Sequence, residues 1–269
     1  MELLILDNEF GEIATVEIFS SLQWNRKYYD YGNFELETNI EFFNLFKEGT
    51  YLFRQGYELG IIEEISYNRS DNNEYSLKVS GRFITSILED RVITGEKKLT
   101  GKHEDIAYQL VQENFIQPSD SARKINELAL STKVGLGEDT TLEIKNSTIG
   151  KKLNEFLEEK QLSQIIHYDY LTNRLTYSVW QGLDRTEEQS NNTWAVFSDD
   201  YDNITDIEYS TDISDYSNFA YIVGKDNLTV NVSCIQNNER RREMVVTSSD
   251  SDQTVLKDKG KQELDKNKI

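Results

Sequence analysis

The sequence predicts an α+β fold, mainly β, in which two small β-barrel domains flank an α+β domain. Three observations carry this. Short alternating apolar runs punctuated by Gly, Asn and Asp turns fill residues 1–95, two amphipathic helical patterns mixed with strands fill 96–188, and strand character returns over 189–269. Those ranges are the expected domains. A length of 269 residues with 37% hydrophobic content supplies enough apolar side chain for more than one core.

Taken in order, residues 3–6 (LLIL) form a strand, Asp7-Asn8-Glu9 with Gly11 a turn, and 13–19 a returning strand. The run 40–47 (IEFFNLFK) reads equally as a helical turn or a buried crossing. Strands are expected at 50–54, 59–67 and 74–80, separated by turns at Gln55-Gly56 and at 70–73. Short strands at this spacing suit a small barrel or sandwich. A helix over 83–90, with Ile84, Ile87 and Leu88 on one face, would plug its open end.

In the middle, Thr100 is expected to cap a helix over 104–115, which ends before Pro118, the only proline. Strands follow at 127–133 and 141–145, with Gly135-Leu136-Gly137 as a hinge between them. Asn146-Ser147 is expected to cap a second helix, 149–160, burying Ile149, Leu153, Phe156 and Leu157, and a hairpin of 164–168 and 174–180 closes the unit. Beyond a polar linker at 185–192, strands are expected at 194–198, 204–209, 219–224, 228–234 and 243–247. Residues 255–269 start a helix and stop in a Lys- and Asp-rich tail, an ending expected of a fragment that buries little by itself.

The chain is organised around residues 21–39, SLQWNRKYYDYGNFELETN. Trp24, Arg26, Tyr28 and Tyr29 lead into a Tyr31-Gly32-Asn33 turn, after which Phe34 and Leu36 alternate with Glu35 and Glu37 as a half-buried strand requires. Such a cluster packs in a core, or meets a neighbouring subunit, where Arg and aromatic side chains are enriched.

The formal net charge of −19 is spread along the chain, and Arg240-Arg241-Arg242 is its one dense basic run. Tight nucleic-acid binding needs clustered Lys and Arg, so it is disfavoured. No apolar run approaches the roughly 20 residues of a membrane span, and no secretory signal is visible. The single cysteine, Cys234, reads as a small buried hydrophobe. His103-Glu104 resembles the start of a zinc-protease helix, but Ala107 stands where the second histidine belongs. His103 and His167 lie in different elements without metal-ligand spacing, and Gly135-Leu136-Gly137 lacks the rest of a dinucleotide loop. Asp199, Asp200, Asp202, Asp206 and Glu208 do not follow calcium-loop spacing, so a solvated loop is expected. No catalytic residue, cofactor or metal is expected.

Together, SLQWNRKYYDYGNFELETN, GIIEEISY, LKVSGRFITSILEDRVI with Arg82 and Arg91, and WAVFSDDYDNITDIEYSTDISDYSNFAYIVG occur in an order that resembles the tail-hub, or tail-tip, proteins of long-tailed bacteriophages and prophages. The likeness covers nearly the whole chain. It implies tube-type β-barrels, two per chain, assembled as a homotrimer whose ring closes the tail tube and lets DNA pass. It also implies neighbouring tail proteins as partners, a place in the virion tail, and synthesis in the host bacterial cytoplasm. Against the family pattern, the C-terminal helix and anything after it, where many relatives carry fibre or lysin modules, are expected to be missing here. A cell-wall hydrolase or a receptor- or carbohydrate-binding protein is the competing class, and exposed aromatics, Trp180 and Trp194 first, would mark the latter.

Overall fold

The computed structural model describes residues 2–69, 75–204, 208, 210–236 and 239–266. The chain divides into two compact units, Met1–Thr193 and Trp194–Ile269. It is mainly β, with 38% strand against 23% helix.

The first unit opens with β1 (Leu3–Leu6) and β2 (Glu12–Val16), an antiparallel hairpin. Its turn is held by Asp7 Oδ1, which accepts the N–H groups of Glu9 and Gly11 at 2.8 Å. Next come β3 (Ser21–Asn25), β4 (Asn33–Asn39), a 3₁₀ turn over Ile40–Leu45, β5 (Tyr51–Phe53), β6 (Gly60–Ile61), β7 (Glu64–Arg69) and β8 (Tyr75–Arg82). They form two four-stranded sheets, ordered β2-β1-β5-β6 and β3-β4-β8-β7. Both sheets turn their apolar positions onto one core that includes Leu3, Ile5, Phe34, Leu36, Leu52, Leu77 and Val79.

No closed barrel forms among the described residues, so the expected first barrel is corrected to a pair of sheets joined at one corner. The expected 59–67 strand explains why. It breaks at Ile62-Glu63, giving β6 to one sheet and β7 to the other. The corner is stitched by a Gly60–Phe83 bridge and by Glu63 N–H donating to the Ser80 carbonyl at 3.0 Å. A Cβ on Gly81 would stand 1.8 Å from the Ile61 carbonyl oxygen, so glycine is what lets the strands cross this closely.

A 3₁₀ turn over Ile84–Asp90 then buries Ile84 and Leu88. It leads into β9 (Val92–Lys102), α1 (His103–Val111) with a π-turn continuation over Gln112–Ile116, β10 (Leu128–Leu130), β11 (Asp139–Thr148), α2 (Ile149–Glu158), β12 (Leu162–Asp169) and β13 (Arg174–Gln181). β9 and β11 make an antiparallel ribbon, and β10, β13 and β12 a three-stranded sheet. α2 buries Ile149, Leu153, Phe156 and Leu157 as its periodicity predicts. Truncating a buried leucine such as Leu153 to alanine costs about 2–5 kcal/mol in such a setting. One apolar core draws on Leu6, Phe53, Leu59 and Leu88 as well as on Leu110, Leu153 and Ile166.

Neither expected cap operates. Thr100 lies within β9 opposite Thr141, and α1 starts at His103 behind Lys102. Asn146, at φ 45°, forms a bulge in β11 and accepts the Gly95 N–H on Oδ1 at 2.9 Å, so Thr148 takes the N-cap position of α2.

In the second unit, β14 (Phe219–Val223) pairs antiparallel with β15 (Thr229–Ser233) and parallel with β16 (Glu243–Thr247). α3 (Gln253–Lys266) covers one sheet face with Leu256, Gly260 and Leu264, spaced one turn apart. Among the described residues the expected second barrel is instead a three-stranded sheet under a helix, and the helix is an integral part of that core. The expected 194–198 strand is irregular, because the Asn203 side chain takes up the Ser198 N–H at 2.9 Å and the Val196 carbonyl at 2.8 Å. The expected 204–209 strand falls largely outside the described residues.

Candidate functional site

β3 and β4 pair from Ser21–Glu37 to Asn25–Asn33, which leaves residues 26–32 as the loop that carries the cluster. Gly32, at φ 67°, closes it; a Cβ there would lie 2.3 Å from the Asn25 carbonyl oxygen. Trp24 points into the first core, its ring 5.6 Å from Phe34 and 5.2 Å from Phe83, with its buried indole N–H given no partner among the described residues. Arg26 donates from Nε to Glu58 Oε1 at 2.6 Å, and its side chain stays 56% exposed while that of Glu58 is 10% exposed.

Tyr28 is the hinge pin. Its hydroxyl donates to the Gln161 carbonyl at 2.8 Å and accepts the Gly182 N–H at 2.7 Å, while its carbonyl accepts the Ser163 hydroxyl. Its ring meets Trp180 edge to face at 4.8 Å and Tyr29 at 4.7 Å. Tyr29 is exposed. Asp30 pairs with Lys27 at 2.9 Å; burial pushes its carboxyl up, but the Lys27 ammonium and the Tyr31 N–H outweigh this and hold it below the usual range. Tyr31 is buried beside Glu89, and burial with that carboxylate drives its phenol well above the ordinary value.

Between this loop and the β12–β13 hairpin lies a cleft of about 220 Å³. Ser163, Gln164 and Trp180 line its far side, and Glu58 and Thr85 are also in its wall. Below it, Arg82 grips Glu63 from Nε and Nη2, at 3.0 and 2.7 Å, and reaches Glu89 from Nη1 at 3.2 Å. The four cluster residues therefore separate: Trp24 and Tyr28 spend their rings within the subunit, whereas Arg26 and Tyr29 face solvent. Glu58, 32 residues from Arg26, and the 161–164 stretch, more than a hundred residues from the loop, could not be read as partners from sequence, because nothing local links them to it. Trp180 is legible in the sequence as an aromatic that would mark receptor or carbohydrate binding if exposed, but not as a neighbour of this loop.

The model of the Siphovirus ReqiPepy6 Gp37-like protein family matches residues 2–252. The chain belongs to this family. Its structure is similar to the tail protein from Neisseria meningitidis MC58, with a TM-score of 0.58 at 15% identity, over 99% of this chain and 76% of that one. It also matches the prophage tail protein gp18 from Listeria monocytogenes EGD-e, with a TM-score of 0.47 at 12% identity, over 92% of this chain and 72% of that one. No curated protein matches the sequence. The chain is thus a member of a siphovirus protein family, with a fold similar to that of the Neisseria meningitidis tail protein.

The remaining chemical motifs have structural uses in this family member. His103 is buried, stacks on Phe156 at 4.5 Å and hydrogen-bonds the Glu138 carbonyl through Nδ1 at 2.9 Å. Glu104 is 1% exposed and accepts the backbone N–H groups of Val134, Gly135 and Leu136. The sequence pair that resembles a zinc-protease helix is therefore a clamp on the loop that carries Gly135 and Gly137. Cys234 is half-buried against the second unit's core, whereas His167 belongs to the first unit. Arg241 lies 3.5 Å over the Phe219 ring and pairs with Glu243 at 2.7 Å, and Arg242 donates to the Ser214 carbonyl at 2.9 Å, so these two members of the basic run are spent on their own sheet. In the acidic run, Asp206 lies outside the described residues, and among the described residues no group of His, Cys, Asp and Glu could hold a metal ion. No described helix is long and apolar enough to cross a membrane.

Proposed function

We propose that this chain is a structural hub subunit at the tip or baseplate of a siphovirus tail, assembled as a homotrimeric ring that closes the tail tube and lets DNA pass. The observation that supports this most is the fold likeness to a tail protein, which runs through 99% of this chain and so takes in both units. In this reading residues 1–95, 96–188 and 189–269 are its successive modules. It works in the virion tail beside other tail proteins, after synthesis in the host cytoplasm, and it is not an enzyme. Arg26 and Tyr29 are the members of the loop cluster that reach a neighbouring subunit, while Trp24 and Tyr28 fix the loop that presents them. Diffuse negative charge suits a lumen through which phosphate passes without sticking, since repulsion acts over a Debye length of roughly 8 Å. Glu35 is paired with Lys78 at 2.8 Å, which leaves Glu37 as the stronger of the two lumen candidates.

Light scattering across a concentration series tests the assembly: the mass should reach or approach that of three chains, and Arg26→Ala should weaken assembly more than it lowers the thermal midpoint. A dimer independent of concentration, or salt-sensitive DNA retardation that depends on Arg240, Arg241 and Arg242, contradicts the hub. Incubation with purified peptidoglycan should release no soluble fragments. Release that disappears on replacing His103, His167 or Cys234 would return the chain to the hydrolase class.

A further inference from the structure

The cleft between the 26–32 loop and the β12–β13 hairpin has a composition that packing does not explain. Its floor is satisfied by the chain itself: Gln164 donates to Asn154 at 2.7 Å and accepts from Tyr177 at 3.0 Å, and Thr85 accepts the Ile166 N–H at 2.9 Å. Its walls are not. Glu58, nine-tenths buried, gives one carboxylate oxygen to Arg26, and its other oxygen is buried with no hydrogen-bond partner among the described residues. A buried carboxylate oxygen left unpaired is costly, and a donor that entered beside it and displaced its cover would relieve that cost. Among the described residues Arg26 is engaged through Nε alone, which leaves its two terminal nitrogens to the same visitor. Beside them Trp180 keeps 36% of its surface exposed, held in place edge to face by Tyr28.

Charge and size narrow what can enter. Arg26 and Lys27 are balanced in the cleft wall by Asp30 and Glu58, so a cation meets the first pair and an anion the second. A neutral molecule with many hydroxyls can donate to the carboxylates and accept from the guanidinium at once. The volume of about 220 Å³ is below the roughly 300 Å³ at which pockets for drug-sized ligands begin, so it suits a single ring. An aromatic side chain beside planar polar groups matches the apolar face and hydroxyl edge of a sugar ring.

We propose that this cleft binds one neutral sugar ring, packed on Trp180 and hydrogen-bonded by Arg26 and Glu58. This goes beyond the hub reading, and because that reading also gives Arg26 to a subunit contact, binding is measured on the single chain, where that contact is absent.

The test is saturation-transfer NMR and calorimetry on the full chain, at a dilution where scattering gives the mass of a single chain. The probes are glucose, galactose, N-acetylglucosamine and N-acetylgalactosamine, with glucosamine and glucuronate as cationic and anionic counterparts. At least one neutral sugar should bind at millimolar concentration, more tightly than both charged counterparts. Trp180→Ala should weaken it about tenfold or more, and Glu58→Gln, which keeps the shape and removes the charge, should do likewise. Trp194→Ala should leave it unchanged. Trp180→Phe retains an aromatic surface and should bind if Trp180→Ala fails to fold. Absence of binding by every neutral sugar, tighter binding of a charged counterpart, or binding that survives both Glu58→Gln and loss of the indole overturns the proposal. A failed trimer with sugar binding intact would count against the hub alone.

Discussion

The carboxylate of Glu104, on the first turn of α1, accepts the backbone N–H of Gly135, together with those of Val134 and Leu136 at 3.0 Å each. A buried anion is tolerable here because three amide dipoles converge on it. Glu104→Gln keeps the volume but turns an amide N–H₂ toward donors, leaving at least one of them unpaired. We expect a loss of about 2–3 kcal/mol in urea unfolding and earlier proteolysis within residues 133–138. Unchanged stability would mean that the loop holds its shape without the clamp.

Gly81 stands where β8 crosses the end of β6. A Cβ there would sit 1.8 Å from a backbone oxygen of Ile61 and 3.0 Å from the Glu63 nitrogen, and backbone cannot move aside as a flexible side chain can. Gly81→Ala should therefore cost about 3 kcal/mol or more, which opens the corner between the two sheets. Gly49→Ala is the contrast: its Cβ would meet nothing within 4 Å, and only its φ of 82° resists, so a smaller loss of about 1 kcal/mol is expected.

Periodicity made most of the single elements legible. Phe34 and Leu36 inward, the buried stripe of α2 and the β12–β13 hairpin all follow from spacing alone. Closure was not legible, because whether strands close a barrel depends on where one strand changes sheets, and the break at Ile62-Glu63 has no composition of its own. Caps failed for a related reason. Thr100 and Asn146 are good capping residues in isolation, but each was already committed to a ladder or a bulge of the β9–β11 ribbon, which sequence did not foresee. Of the candidate site, the loop cluster was visible as a concentration of aromatics, whereas Glu58 and Trp180 join it only through tertiary contact.

Alkaline pH should destabilise the first unit. Burial, with Tyr170 and Asp169 beside it, pushes the Tyr168 phenol up to about 12, while an unfolded tyrosine titrates near 10. Below pH 10 both states hold the proton and this contribution is fully present. Between pH 10 and 12 the unfolded chain releases the proton and the folded chain keeps it, so stability falls as pH rises. Buried Tyr31 and Tyr177, also raised by desolvation, act in the same direction. Melting followed at pH 9, 10 and 11 should show a falling midpoint, with a shallower slope in Tyr168→Phe. Phenolate absorbance from all tyrosines near pH 10, with the fold intact by circular dichroism, would contradict this.

Gly260 sits in the middle of α3, where alanine is ordinarily better by about 1 kcal/mol. Tertiary contact reverses that preference here. An added Cβ would lie 2.4 Å from Ile222 Cδ1 and 2.8 Å from its Cγ1, with Val232 Cγ2 at 3.1 Å. Ile222 is fully buried in β14 and has no space to retreat, so overpacking should cost about 1–3 kcal/mol and outweigh the gain in helix propensity. Gly260→Ala is therefore expected to lower the stability of the second unit, seen as faster hydrogen exchange of the β14 and β15 amides. Ile222→Ala alone should destabilise by about 2–5 kcal/mol. In that background the two Ile222 contacts are gone and only the 3.1 Å approach to Val232 Cγ2 remains, so Gly260→Ala should cost much less than in the parent chain. A double-mutant cycle in which the two changes simply add would show that α3 does not press on Ile222 at this position.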